Sequence, residues 1–149
     1  MSISGEGFVG ESEMETCAAV DALYRAYTGH DFNRFADMLH EDIDWMIHGP
    51  VEIFPFAGLR RGRAAVLQAI GGIVESYALE RHAIEVLLVN GDRAALMADV
   101  SFKQRATNRT LRFRGANFLR IRNGQLIEFR EFADSFDQVE QAVGHVVVV

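Results

Sequence analysis

The stretch Arg112-Phe113-Arg114-Gly115-Ala116-Asn117-Phe118-Leu119-Arg120-Ile121-Arg122-Asn123-Gly124-Gln125-Leu126-Ile127-Glu128-Phe129-Arg130-Glu131-Phe132 decides the reading of this chain. Apolar and charged residues alternate on both sides of Asn123-Gly124, the pattern of two strands joined by a tight turn. Two registers compete. A two-residue turn pairing Arg122 with Gln125 puts Leu119 and Ile121 beside Glu128 and Arg130, mixing both faces. A three-residue loop, Arg122-Asn123-Gly124 with Gly124 left-handed, shifts the pairing by one residue. Asn117, Leu119 and Ile121 then share a face with Ile127, Phe129 and Glu131, and the arginines share the other. Sheets select registers that separate apolar from charged side chains, so the second is expected. It leaves an amide and a carboxylate on an apolar face.

Working outward, the strand before the hairpin alternates Leu96, Ala98, Val100 and Phe102 against Met97, Asp99, Ser101 and Lys103. Asp99 therefore belongs among the arginines as a charge partner. Three strands, Glu80 to Asn90, Arg93 to about Ala106 and Thr110 to Arg122, precede a fourth from Gln125 to Ala133. Upstream, Cys17, Val20, Tyr24 and Tyr27 make a helical stripe ending at Gly29. Asp31 caps a second helix through Leu39, and Gly62 to Tyr77 forms a third. Ile43 to Gly49 reads as a strand with Trp45 on one face and His48 on the other. Val51 to Arg61 is a loop carrying Phe54 and Phe56, too apolar to stand in water. Ser135 to Gly144 reads as a short helix. Segregated helices and strands indicate an α+β fold.

The chain has 149 residues and a net charge of −6, with 49% hydrophobic residues. It fits one domain, residues 13–143, with a flexible start over 1–12 and an apolar tail over 144–149. Its acidity argues against a nucleic-acid partner. The longest apolar runs are too short for a membrane span and the start lacks a signal-peptide pattern, so a cytoplasmic protein is expected. One cysteine, Cys17, allows no internal disulfide and reads as a small core residue. The histidines lack metal-ligand spacing, so neither metal nor cofactor is expected.

In order and spacing, Tyr27-Thr28-Gly29-His30-Asp31-Phe32, Leu39-His40-Glu41-Asp42-Ile43-Asp44-Trp45, Phe56 to Val66, Phe118 to Leu126 and Arg130-Glu131-Phe132-Ala133-Asp134 resemble the NTF2-like superfamily. The likeness is to its SnoaL-like and ketosteroid-isomerase-like branch. It implies a cone: a strongly bent antiparallel sheet wrapped around about three helices, enclosing a hydrophobic pocket, and a homodimer through the outer sheet face. It also implies cofactor-independent isomerase, cyclase or hydrolase chemistry on a small hydrophobic molecule.

Residue by residue, Asn117 falls where ketosteroid isomerases carry an oxyanion-binding aspartate, and an amide can donate there without a pKa shift. Their base position falls at Ile47, beside His48, and their tyrosine position at Leu23, beside Tyr24. Glu131 falls where the epoxide-hydrolase-like branch activates water, but the arginine that branch needs before Asp99 is absent. SnoaL-like cyclases use an acidic residue with a histidine-type helper, roles open to Glu131 and His48. The candidate catalytic residues are thus Glu131, Asn117 and His48, and the candidate ligand-binding residues Trp45, Tyr24, Phe54, Phe56 and Phe129. The alternatives are a Glu131 paired to a basic side chain, and a cone that only binds a ligand or dimerises.

Overall fold

The computed structural model describes residues 10–148. The expectations for residues 1–9 and Val149 lie outside the described residues. Helix α1 (Glu11–Thr28) carries the Cys17 to Tyr27 stripe and ends at Gly29 as expected. It buries Val20, Leu23 and Ala26, while Cys17 is half-buried at the edge of the apolar face. Helix α2 (Phe32–Asp37) is capped by the Asp31 carboxylate, which accepts from the Arg34 amide at 3.2 Å. Leu39, expected in that helix, instead begins strand β1 (Leu39–Ile47), where Leu39, Ile43, Trp45 and Ile47 are buried.

The segment after β1 folds back through turns in which Phe54 and Ala57 are buried. It then forms a short strand the sequence did not announce, β2 (Gly58–Arg61), paired antiparallel to β1. Helix α3 (Arg63–Ser76) lays Val66, Ile70 and Ile73 against the concave face. Strands β3 (Tyr77–Asn90), β4 (Arg93–Gln104), β5 (Thr110–Arg122) and β6 (Gln125–Phe132) form an antiparallel meander, followed by helix α4 (Ser135–Val143). The six strands run in the order β2-β1-β6-β5-β4-β3. The sheet is mixed, not wholly antiparallel: β1 pairs with β6 in parallel, with Trp45 opposite Phe129 and Ile47 opposite Glu131. The Trp45 and Phe129 rings stack at 3.9 Å. Among the described residues no helix is long and apolar enough to cross a membrane. Val146 and Val148 are exposed and join no strand.

The β5–β6 hairpin separates its faces by a different device from the one expected. Asn123 and Gly124 both have positive φ, 51° and 75°, and Arg122 pairs with Gln125. This is the two-residue turn, which asparagine and glycine accommodate. The extra residue sits further on: Ile121 pairs with Leu126, and Arg120 already with Glu128. Ile127 is the bulge. Leu126, not Ile127, is the core residue at 1% exposure, and beyond the bulge Leu119 meets Phe129 and Asn117 meets Glu131.

On the convex face Asp99 accepts from Arg112 at 2.8 Å and from Arg81 at 3.0 Å. Arg112 and Arg81 together hold its carboxyl down at about 2. Arg114 meets Glu85, Arg120 meets Asp92 and Arg130 meets Asp44. These arginines, expected to face a partner subunit, are paired within their own chain.

The bulge makes a stability prediction. Leu126→Ala is expected to cost about 2–5 kcal/mol, and Ile127→Ala clearly less, in urea unfolding followed by circular dichroism. The reverse order would contradict this register.

Candidate functional site

The cone encloses a cavity of about 100 Å³, several times the roughly 10–15 Å³ that one water needs. Its wall is overwhelmingly apolar and aromatic. Trp45 and Phe129 form one side as a stacked pair, Phe54 and Phe56 close it from the β1–β2 connection, and Ile70 and Ile73 of α3 cover it. The Trp45 indole N–H is buried and has no hydrogen-bond partner among the described residues.

Three polar side chains meet on this wall. Glu131 lies on β6 between Ile47 of β1 and Asn117 of β5, its partners on either side. The Asn117 amide nitrogen donates to the Glu131 carboxylate at 3.0 Å, and the Tyr24 hydroxyl of α1 donates to the Asn117 carbonyl oxygen at 2.8 Å. The directions are mutually consistent. An ionised carboxylate can only accept, so the amide must turn its nitrogen to Glu131 and its oxygen to Tyr24. Both ends of Asn117 are thereby engaged. No arginine or lysine pairs with Glu131 among the described residues.

Burial drives the electrostatics. Desolvation pushes the Glu131 carboxyl above the usual carboxylate range, opposed by the Asn117 hydrogen bond. Burial also raises the phenols of Tyr24 and Tyr27, and the Glu131 charge adds to both. Tyr27 lines the cavity, and its hydroxyl has no hydrogen-bond partner among the described residues.

His48 follows the end of β1, so the strand's alternation no longer dictates its direction. Its backbone N–H donates to the Glu131 carbonyl at 3.0 Å, while its ring stacks on exposed Phe132 at 4.1 Å and lines the cavity rim. His82 reads in the sequence only as one of the scattered histidines without ligand spacing. It lines the cavity from β3, stacked on Tyr24 at 5.0 Å and edge-on to Tyr27 at 6.3 Å. Burial lowers its pKa, favouring the neutral imidazole. Its inward direction comes from an irregularity between Leu79 and Arg81 that reverses the face of β3. Among the described residues no group of three metal-ligating side chains could hold an ion.

Glu131 predicts a pH signature. A carboxyl raised in the folded state binds protons more tightly there than in the unfolded chain. Stability is therefore lost as pH climbs from the unfolded glutamate value of about 4.3 through the raised folded one. Glu131→Gln removes that loss while keeping an acceptor for Asn117. Its stability relative to wild type is expected to rise between about pH 4 and pH 8 in urea titrations; a constant difference would refute the raised pKa.

The profile of the SnoaL-like domain family matches residues 20–129. A solved structure from Rhodopseudomonas palustris, described as a candidate isomerase, is 36% identical. The alignment covers 93% of this chain and 100% of that one, with a TM-score of 0.78. An NTF2-like protein from Burkholderia xenovorans shares 23% identity over 89% of this chain and 99% of its own, with a TM-score of 0.77. A candidate polyketide cyclase from Xanthomonas campestris shares 20% over 89% and 99%, with a TM-score of 0.73. No curated protein matches. With the mixed curled sheet and its cavity, these likenesses make the chain a member of the SnoaL-like domain family with the NTF2-like fold.

Proposed function

We propose that the chain catalyses cofactor-independent proton transfer on a small hydrophobic carbonyl compound bound in the cone. The carrying observation is Glu131: a carboxyl on an apolar cavity wall, hydrogen-bonded by one amide and paired with no cation among the described residues. Keeping a carboxyl there without a cation partner is costly, and a catalytic use accounts for its retention. Its raised pKa suits a group that takes and returns a proton near neutral pH.

In the step that fits, the Glu131 carboxylate takes a proton from the carbon beside a carbonyl. The C–H electron pair moves into a C=C bond and the carbonyl oxygen takes up the negative charge. Protonated Glu131 then returns the proton at another carbon, giving an isomerised product. In a substrate with a second carbonyl, the enolate carbon instead bonds to that carbonyl carbon, the C=O π pair moves to its oxygen, and Glu131 returns the proton there, giving a cyclised one.

Asn117 would position the carboxylate, since its oxygen and one amide hydrogen are already committed. Tyr24 spends its only proton on Asn117. Of the other two tyrosines lining the cavity, Tyr27 and Tyr77, Tyr27 is the one near enough to feel the Glu131 charge, and it would donate to the developing oxyanion. Trp45, Phe129, Phe54 and Phe56 would hold the ligand body, Tyr24 would add part of the wall, and His48 would sit at the entrance. The match to a candidate isomerase at 36% identity supports this class of chemistry.

The test is deuterium exchange, followed by NMR, at the carbon beside the carbonyl in a panel of cyclic and polyketide-like ketones. Glu131→Gln should lower exchange by about 10²–10⁴-fold and leave quenching of Trp45 fluorescence by the same ketone unchanged. Tyr27→Phe should slow exchange more than it weakens binding. Binding without any exchange would favour the non-catalytic reading.

We also propose a homodimer through the convex face. Beside the internally paired Arg81, Arg112, Arg114, Arg120 and Arg130 runs an apolar belt. Leu88, Val86, Met97, Phe118 and Phe132 are 65%, 43%, 36%, 50% and 44% exposed. A patch running across neighbouring strands is unusual on a monomer and suits a self-complementary contact. Phe118→Arg is expected to convert a dimer to a monomer in light scattering; a wild-type monomer would refute it.

A further inference from the structure

A second cavity, of about 130 Å³, abuts the first. The two share Tyr27, Ile73, Tyr77 and Phe102, which line both. The far chamber is walled by Phe32, Val74 and Leu79, so it too is apolar inside. Arg105 is its one charged lining residue, His30 also lines it, and no carboxylate does.

Arg105 lies just beyond β4. Its backbone N–H donates to the Ser76 carbonyl at 2.9 Å and its Nε–H to the Val74 carbonyl at 3.1 Å. These bonds cap the end of α3 and fix the guanidinium at the chamber wall. They use Nε, leaving the two terminal nitrogens without an acidic partner among the described residues. Five convex-face arginines contrast with it: Arg81, Arg112, Arg114, Arg120 and Arg130 each meet a carboxylate. On the far side His30, held at φ 57°, sets its ring edge-on to Phe32 at 5.8 Å. An anchored guanidinium with free N–H groups at the mouth of an apolar chamber fits a carboxylate whose carbon chain lies inside.

We propose that the two chambers form one elongated site for an amphipathic carboxylic acid. The ring-bearing body lies beside Trp45 and Glu131, the chain crosses between Tyr27 and Tyr77, and the carboxylate ends on Arg105. This rests on the main cavity being a ligand site and adds the ligand's class and orientation. It also places Tyr27, which lines both chambers, against the middle of the ligand.

The single tryptophan, Trp45, is a built-in reporter on the main cavity. The probes are 6-phenylhexanoic acid and its amide, matched in shape and differing in charge, titrated at neutral pH against Trp45 fluorescence. The acid is expected to bind wild type about 3–10-fold more tightly than the amide, a charge-assisted hydrogen bond weakened by solvent exposure. Arg105→Gln should erase that preference and leave the amide's affinity unchanged. Arg105→Lys should retain part of it. Arg122→Gln, at an exposed convex-face arginine, should leave it intact.

Because Arg105 also caps α3, wild type supplies a check independent of folding. The preference should shrink as salt rises from about 0.05 M to 0.5 M. Equal binding of acid and amide by wild type, or a preference that survives Arg105→Gln, overturns the two-chamber site and leaves the main cavity standing. Binding of neither probe overturns both.

Discussion

One unpaired residue in the β5–β6 ladder controls the site. Side chains along a strand alternate with a period of two, so a one-residue slip sends each of them to the opposite face. The Asn123-Gly124 turn alone would align Leu119 with Glu128 and turn Glu131 out of the cone. Ile127 absorbs the slip after a single inward pair, Ile121 with Leu126. From there on Leu119 meets Phe129 and Asn117 meets Glu131, and the contact between amide and carboxylate follows from backbone pairing. The same strand is held in parallel by β1, which sets Trp45 against Phe129 and Ile47 against Glu131.

The same sheet carries a second largely inaccessible carboxylate, and the contrast shows what sets Glu131 apart. Asp99, 5% exposed on the convex face, receives Arg112 and Arg81, which pull its pKa down to about 2. Glu131 faces an apolar cavity with one neutral amide donor, and desolvation pushes its pKa up. Asp99 is neutralised in place, as a structural ion pair requires. Glu131 keeps unmet demand for a proton or a hydrogen-bond donor, the property associated with working groups. The two environments are separated by the thickness of one strand layer.

Much of this was readable from local pattern. Helices α1 and α3, strands β4, β5 and β6, the outward Asp99 and the shared face of Asn117 and Glu131 all follow from periodicity and turn chemistry. What escaped depends on pairings distant in sequence. Strand β2 has four residues and exists because β1 offers it an edge. The parallel β1–β6 contact joins segments about eighty residues apart and leaves no local signal. His82 faces inward only because β3 changes register between Leu79 and Arg81. Sequence alternation cannot show such a change when both faces carry mixed residues. The role of Asn117 likewise depended on knowing that Tyr24 lies within 2.8 Å of its oxygen.

The cavity and the convex face also meet physically. His48 lines the cavity rim and stacks at 4.1 Å on Phe132, whose other contact is edge-on to Phe118 at 5.9 Å. Both phenylalanines belong to the exposed apolar belt. In an uncovered sheet the aromatic chain from His48 to Phe118 is packed on one side and open to water on the other. A second subunit seated on that belt would confine Phe132, and through the stack it would confine the His48 ring as well. The backbone is already pinned there, because the His48 N–H bonds to the carbonyl of Glu131 itself. Covering the convex face would therefore stiffen the entrance directly beside the carboxylate without any contact inside the cone.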